Sequence, residues 1–434
     1  MAVNRTIISY KNLIQPFGSQ DKLLAATHRE AVKVFPDPAK ADAAVADLKT
    51  GLDLWRASEI HPRILHTPRH AGASLLQSHV VKQAGLGKRI ESFLIKIEHK
   101  ILEGLEVRFS AGDWAGWAGS FFTWVADIHK AAQPAAQSAA TPIANRFAIG
   151  VLGDFGTGLY GAPACQKSIQ EGPDAYDLML HLGDVYYSST PEEMEDRFFQ
   201  FWPNKAPVNR TLNGNHEMYN GGHTYFESML PRFSQTASYF AMQNDHWVLA
   251  ALDTAYSAAF GGAEGNLDDT QMRWLSAIVA AAGDRKLVLF SHHQPFSQVE
   301  NNNGGNLIAQ MKKFGLADRI YAWYWGHEHR CLLYDKHAKH GFRGRCVGHA
   351  GFPESRPDLR DAPESDEFGS QWRQLKAKGD IPEAWIYDTN NLYIPGFETL
   401  FAPNGFMRIE FDGPSLVEFV RAPDNANVWL KELR

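Results

Sequence analysis

Five short polar blocks, each closing an apolar run, constrain this chain more than any other feature. They are Gly153-Asp154-Phe155-Gly156, Gly183-Asp184-Val185-Tyr186-Tyr187, Gly214-Asn215-His216-Glu217, Ser291-His292-His293-Gln294-Pro295 and Gly326-His327-Glu328-His329. A chain that repeatedly ends a short apolar run in glycine and a ligand-type side chain is expected to lay down buried strands and gather polar groups where they stop. Carboxylate, phenol, amide and imidazole groups delivered in this order can hold two metal ions side by side. Each block alone has a plainer reading: Gly-Asp as a turn, Asn215-His216-Glu217 as a helix cap, His-x-His as a pair on a strand. The ordered set carries the argument.

The runs before the blocks support this reading. Phe147 to Leu152, Leu178 to Leu182, Trp247 to Leu252, Leu287 to Phe290 and Ile320 to Trp325 have the length of strands buried on both faces. Asp269 to Ala281 carries Met272, Leu275, Ile278 and Val279 at helical spacing, so helices are expected to cover the sheet. Functional groups of such α/β folds collect at the carboxyl ends of strands. Asp154, Asp184, Asp253, His292 and His327 all follow an apolar run, pointing to the same edge of one sheet. Asp253 reads either as a support for its neighbours or as a loop residue.

Upstream the texture differs. Gln133 to Thr141-Pro142 is small, alanine-rich and without apolar periodicity, and divides the chain into a mainly helical region (1–132), a linker (133–145) and a larger domain (146–434). Asp37-Pro38 reads as the cap and first residue of a helix through about Leu48. Ile90, Phe93, Leu94, Ile97 and Ile101 mark one face of another helix, closed by Gly104. Trp114, Trp117, Phe121, Phe122 and Trp124 form an aromatic cluster, either an exposed patch or a buried seam. No catalytic motif lies in this region. A long segment, 353–396, interrupts the larger domain with charged and aromatic residues, as a lid or docking insertion would.

Composition excludes several classes. The 434 residues are 44% hydrophobic, enough for two cores, and the net charge of −6 offers no basic field for nucleic acid. No apolar stretch resembles a secretory signal or a membrane span, and Cys165, Cys331 and Cys346 are too few for a disulfide framework. Reduced thiols and a cytoplasmic location are expected, although Cys331 and Cys346 could face each other across a hairpin.

The five blocks resemble the calcineurin-like metallophosphoesterase superfamily, and within it the purple acid phosphatase pattern of Asp-x-Gly, Gly-Asp-x-x-Tyr, Gly-Asn-His-Glu, a strand-end His and Gly-His-x-His. The resemblance spans roughly Phe147 to His349, with a terminal strand pair at Phe406 to Phe411 and Leu416 to Arg421. Most of the superfamily has His two positions after the first Asp. This chain has Gly156 there and Tyr187 three residues after Asp184, which is the purple acid phosphatase arrangement. The fourth block departs from the usual Val-x-x-His, since Val288 lies four residues before His292.

The resemblance implies a four-layer α/β/β/α sandwich with central mixed β-sheets flanked by helices. It implies a first metal held by Asp154, Asp184, Tyr187 and His329, and a second held by Asp184, Asn215, His292 and His327, with Asp184 bridging. A phenolate suits iron at the first site; iron, zinc or manganese suits the second. The implied reaction is hydrolysis of a small phosphate ester, mono- or diester, by metal-activated hydroxide, with no nucleic-acid or membrane partner. His216 would protonate the leaving alkoxide and Glu217 would orient its block. His292 is favoured over His293 as the ligand because Phe296 falls where the family has an aromatic; His293 and His223 remain weaker substrate-contact candidates. Two other readings stay open. Protein serine/threonine phosphatases share the Gly-Asn-His-Glu block, but have Asp-Arg where this chain has Val185-Tyr186-Tyr187-Ser188. A non-catalytic scaffold would be expected to lose ligands.

Overall fold

The structure, a computed structural model, describes residue 14 and residues 18–35, 37–58 and 130–433, apart from 159–160, 187, 257–264, 300–305, 355, 358, 360–361, 366–368, 394–397 and 400. The Ile90 to Ile101 helix and the Trp114 to Trp124 cluster expected from the sequence lie outside these residues, as does Tyr187.

Two helices form an antiparallel pair near the N-terminus. Helix α1 (Gln20–Val34) is capped by Ser19, which accepts from Lys22 N, and α2 (Pro38–Ser58) starts at the expected proline but runs well past Leu48. Gln20 at one end donates to Asp53 near the other, 2.8 Å away. Leu23, Ala41, Leu48 and Leu52 are buried, so the alanine-rich spacing serves close packing.

The larger domain is built on two sheets rather than one. The six-stranded sheet runs β16 (Asn427–Leu433), β15 (Ser415–Arg421), β14 (Phe406–Asp412), β2 (Arg146–Leu152), β3 (Leu178–His181), β4 (Val208–Thr211). Its β2, β3 and β4 are parallel, while β14 to β16 are antiparallel. The ten-stranded sheet runs β1 (Thr141–Pro142), β5 (Phe240–Gln243), β6 (Trp247–Leu252), β7 (Lys286–Ser291), β8 (Ile320–Trp325), β10 (Arg343–Val347), β9 (Cys331–Lys336), β13 (Ala384–Tyr387), β12 (Gly369–Leu375), β11 (Glu364–Ser365). Here β6, β7, β8 and β10 are parallel and β9, β13, β12 and β11 antiparallel. Segment 353–396 thus contributes three strands to the far edge of this sheet.

Burial explains the layering. The sheets face each other across a core holding Ile149, Val151, Leu180, Leu249, Val288, Ile409 and Leu416. Helix α3 (Gly161–Glu171) and a cluster including Phe155, Phe198 and Tyr225 cover one outer face, and α4 (Asp269–Ala282) covers the other with Met272, Leu275, Ile278 and Val279. The result is a helix/sheet/sheet/helix sandwich. Helix α4 is capped by Asp268, whose carboxylate accepts from Gln271 N at 2.7 Å. Strand β6 is buried at every position and β15 at every second one, so periodicity follows whether one face or both are covered. The former linker stretch lies against the domain: Ala131 N donates to Gly221 O, and Gln133 Nε2 to Asp253. All three cysteines are free and buried, and Cys331 stands opposite Val347, not Cys346.

Candidate metal centre

The parallel strands of both sheets end at one rim. Asp154 follows β2, Asp184 follows β3 and Asn215 follows β4; across the cleft, His292 follows β7 and His327 and His329 follow β8. The backbone there is unusual. Seven described non-glycine residues have positive φ, and four of them are Asp154 (56°), Asp184 (76°), His327 (68°) and His329 (53°). Left-handed backbone costs on the order of 1–3 kcal/mol per residue, so its concentration here marks loops shaped to aim side chains. In the Gly326-His327-Glu328-His329 turn the two histidines, and not the glycine, take the left-handed conformation. Gly326 is needed for closeness instead: a Cβ there would stand 2.8 Å from Asp154 Oδ2.

Asp154, Asp184 and His329 form one buried cluster of ligand-type atoms, all lying within 4.8 Å of one another. The phenol among them belongs to Tyr186, two residues after Asp184. Its oxygen lies 2.9 Å from Asp154 Oδ1, 3.3 Å from Asp184 Oδ2 and 3.0 Å from His329 Nε2. Arg197 fixes its backbone by donating to Tyr186 O at 2.8 Å. Gly156 leaves no room for a side chain, since a Cβ would meet Val185 Cα at 2.6 Å.

The second cluster gathers acceptors. His292 Nδ1 lies 2.8 Å from Leu182 O, a carbonyl that can only accept, so Nδ1 carries the proton and Nε2 the lone pair. That Nε2 lies 3.0 Å from Asn215 Oδ1 and 3.4 Å from Asp184 Oδ1. Asn215 donates its Nδ2 to Tyr219 Oη at 2.8 Å, which turns its carbonyl oxygen into the cluster. His327 Nδ1 lies 3.0 Å from the same oxygen. Two imidazole nitrogens, an amide oxygen and a carboxylate oxygen thus converge, all of them atom types that bind cations. The donor set therefore fits metal ions.

Of the remaining candidates, His216 is buried, with Nε2 3.8 Å from Asp184 Oδ2 and its ring against Tyr186 and Tyr219. Glu217 accepts from the backbone N–H groups of Gly214 (2.7 Å), Val185 (2.8 Å) and Asp184 (3.1 Å), tying two ligand loops together. His293 stands beside His292 and His327 in the second cluster, its Nδ1 2.9 Å from Thr254 Oγ1. His223 is half-exposed and bonded to Glu227, away from both clusters. Asp253 is buried and holds Asn213, just ahead of the Gly214-Asn215 turn.

Electrostatics reflect a concentration of negative charge. Burial, then the neighbouring Asp154, pushes the Asp184 carboxyl well above the usual carboxylate range. Burial also drives up Asp154, but the His329 hydrogen bond and charge outweigh it and leave Asp154 low. His329 is driven down by burial and up further by Asp154 and Glu354, ending at about 9. Glu217 is pushed up to about 8 by burial and by Asp184.

Sequence reasoning passed over several supports. Glu328 is buried, accepting from Trp325 Nε1 at 2.6 Å and from Ser297 Oγ, and so shapes the turn between His327 and His329. It sits inside a block already singled out. Glu354, bonded to His329, had no local signal.

The sequence model of the calcineurin-like phosphoesterases matches residues 147–331. A glycerophosphodiester phosphodiesterase of Enterobacter lignolyticus is 26% identical over 174 residues, 38% of this chain and 60% of the relative, so the chain spans less than two thirds of that protein's length. Among solved structures, a purple acid phosphatase from yellow lupin (Lupinus luteus) seeds superposes with a TM-score of 0.46 at 15% identity, over 70% of this chain and 56% of that one. The anchor protein of the inner membrane complex of Plasmodium superposes with a TM-score of 0.45 at 9% identity, over 67% and 89%.

Proposed function

We propose, for a chain whose residues 147–331 belong to the calcineurin-like phosphoesterase family, that it hydrolyses phosphate mono- or diesters at a dinuclear metal centre. One observation carries the reading: Asn215 Oδ1 and Asp184 Oδ1 converge on His292 Nε2 at 3.0 and 3.4 Å, with His292 Nδ1 turned away to the Leu182 carbonyl. Asp154, Asp184, His329 and a phenol would hold the first metal, and Asp184, Asn215, His292 and His327 the second. The geometry supports Tyr186 as that phenol. Iron suits the phenol site, and iron, zinc or manganese the other. The buried free thiols support a reducing, cytoplasmic setting, and no helix among the described residues is long and apolar enough to cross a membrane.

When bound, the two cations supply Lewis acidity toward the phosphoryl oxygens and lower the pKa of water. The chain supplies the geometry. Glu217 locks the loops bearing Asp184 and Asn215 together through three backbone N–H groups. Its carboxylate thereby fixes the carbonyl of Asn215 relative to the carboxylate of Asp184. His216, held beside Asp184 by its own N–H to Asp184 Oδ1 at 3.1 Å, is placed to hold the proton for the leaving alkoxide on its ring. His293, adjacent to the second cluster, is a further candidate for contact with a phosphoryl oxygen; His223 would need to leave Glu227 to reach it.

Elemental analysis of the purified protein, paired with a panel of mono- and diesters, tests the proposal. The glycerophosphodiester relative argues for including diesters of glycerol. Two metal equivalents with turnover of at least one ester class is the expected result. Metal-free protein with full turnover would rule the centre out.

A further inference from the structure

We propose that Glu354 is a positioning residue of the metal centre: its carboxylate holds His329 by Nδ1 so that Nε2 faces the first metal, while Arg330 clamps the same carboxylate. The inference rests on reading His329 as a ligand. Glu354 Oε2 lies 3.3 Å from His329 Nδ1, and Oε1 lies 3.2 Å from Arg330 Nη2. On the other side of the ring, His329 Nε2 lies 3.0 Å from Tyr186 Oη and 3.3 Å from Asp154 Oδ1. The imidazole is thus gripped at both nitrogens. Phe352 packs against its face, ring centroids 4.5 Å apart and planes at 34°, which removes the remaining rotation.

The chemistry of the grip decides its role. A carboxylate only accepts, so Glu354 keeps a proton on Nδ1 and leaves Nε2, the atom facing Asp154 and Tyr186, as the one that would turn a lone pair to a cation. Glu354 is itself held. Its carbonyl accepts from Ala402 N at 2.8 Å, and two residues earlier Phe352 N donates to Asp154 O at 3.0 Å. Arg330 leans on it in turn: among the described residues Nε and Nη1 of this nearly buried guanidinium have no hydrogen-bond partner, while Nη2 lies 3.2 Å from Glu354 Oε1. Glu354 opens the 353–396 segment, which otherwise adds strands to a distant sheet edge. That segment therefore reaches into the metal centre at its first residues.

Glu354→Gln separates positioning from mere packing. Its amide can still accept from Arg330 through the carbonyl oxygen, but it offers His329 Nδ1 an N–H, which favours the tautomer with the proton on Nε2. Metal affinity of the full chain, measured by chelator competition with zinc or manganese, is expected to fall about 10–100-fold at one of the two sites, with the other unchanged. The thermal midpoint of metal-free protein should stay near that of the wild type. Glu354→Asp, keeping the charge on a shorter arm, should fall between. Wild-type affinity at both sites in Glu354→Gln, or a lowered metal-free midpoint with unchanged affinity, would overturn the inference. A wild-type protein that binds no metal would instead overturn the ligand reading beneath it.

Discussion

Tyr186 donates its phenol to Asp154 Oδ1 at 2.9 Å, across 32 residues of chain and between two adjacent parallel strands. The bond brings the Tyr186 phenol among the ligand-type atoms of Asp154, Asp184 and His329. If iron occupies the first site, oxidised protein is expected to absorb in the visible through charge transfer from a coordinated phenolate. Tyr186→Phe should abolish that band and Tyr187→Phe should leave it. A band lost only in Tyr187→Phe would return the ligand to the position the family pattern indicates.

Asp184 is the carboxylate common to both clusters, 3.3 Å from the Tyr186 oxygen and 3.4 Å from His292 Nε2. Asp184→Asn removes one anionic charge from both metals at nearly constant volume. Activity should drop by several orders of magnitude, and elemental analysis should find both metals depleted. Near wild-type turnover in metal-loaded Asp184→Asn would refute the dinuclear assignment.

Much of this centre was legible because its residues are local to strand ends. Asp154, Asp184, Asn215, His292, His327 and His329 all sit in blocks that a reader of the sequence can mark, and the strands before them, except the polar, half-buried β4 before Asn215, are largely apolar because both faces are covered. That the phenol of Tyr186 joins the cluster was not legible, since its place depends on a positive φ at Asp184 and on Arg197 gripping the backbone 11 residues later. The second sheet was expected from the family resemblance and not from the runs themselves. Short apolar runs reveal that a strand is buried on both faces, but not whether helix or sheet does the burying. Glu354 lies 25 residues from its histidine in a segment without periodicity, so only the folded chain brings the two together.

The two sheets are also joined by a buried ion pair. Arg345 Nε on β10 lies 3.0 Å from both Glu418 oxygens on β15, and Tyr324 Oη donates to Glu418 at 2.6 Å. Removing one partner strands a charge in the core, so Glu418→Ala is expected to cost about 3–5 kcal/mol in denaturant unfolding. An apolar replacement of both residues should cost much less. Equal costs for single and double replacements would mean the pair acts by shape alone.

His181 carries an acid sensitivity away from the ligand atoms. Its ring is buried against Phe198 and Trp202, and burial pushes its pKa down to about 3. The unfolded chain therefore takes up the proton first as pH falls. The stability that the neutral ring contributes is complete above about pH 6.5 and is lost on descent toward pH 3, on the order of 3 kcal/mol by about pH 4. His349, lowered by burial to about 4, adds to the same limb. Unfolding free energy followed from about pH 7 to 4 should fall more gently in His181→Gln than in the wild type, whatever the offset between them. Parallel curves would show that His181 is not the sensor.

The ring of His216 lies between Tyr186 and Tyr219, with Nε2 3.8 Å from Asp184 Oδ2, and the proposed function makes it the general acid. A general acid matters in proportion to how poorly the leaving group departs. His216→Ala should therefore slow alkyl phosphate hydrolysis by about 10²–10⁴-fold, while aryl phosphates, whose phenolates leave unaided, should lose much less. Metal content should hold, because the ring is not among the convergent acceptors. The ratio of the two losses is the quantity to read: a purely structural role would lower both alike. Equal losses with both metals retained would make His216 a clamp on the substrate or the fold, and the leaving-group proton would have to come from another donor, with His293 the nearest alternative in the second cluster.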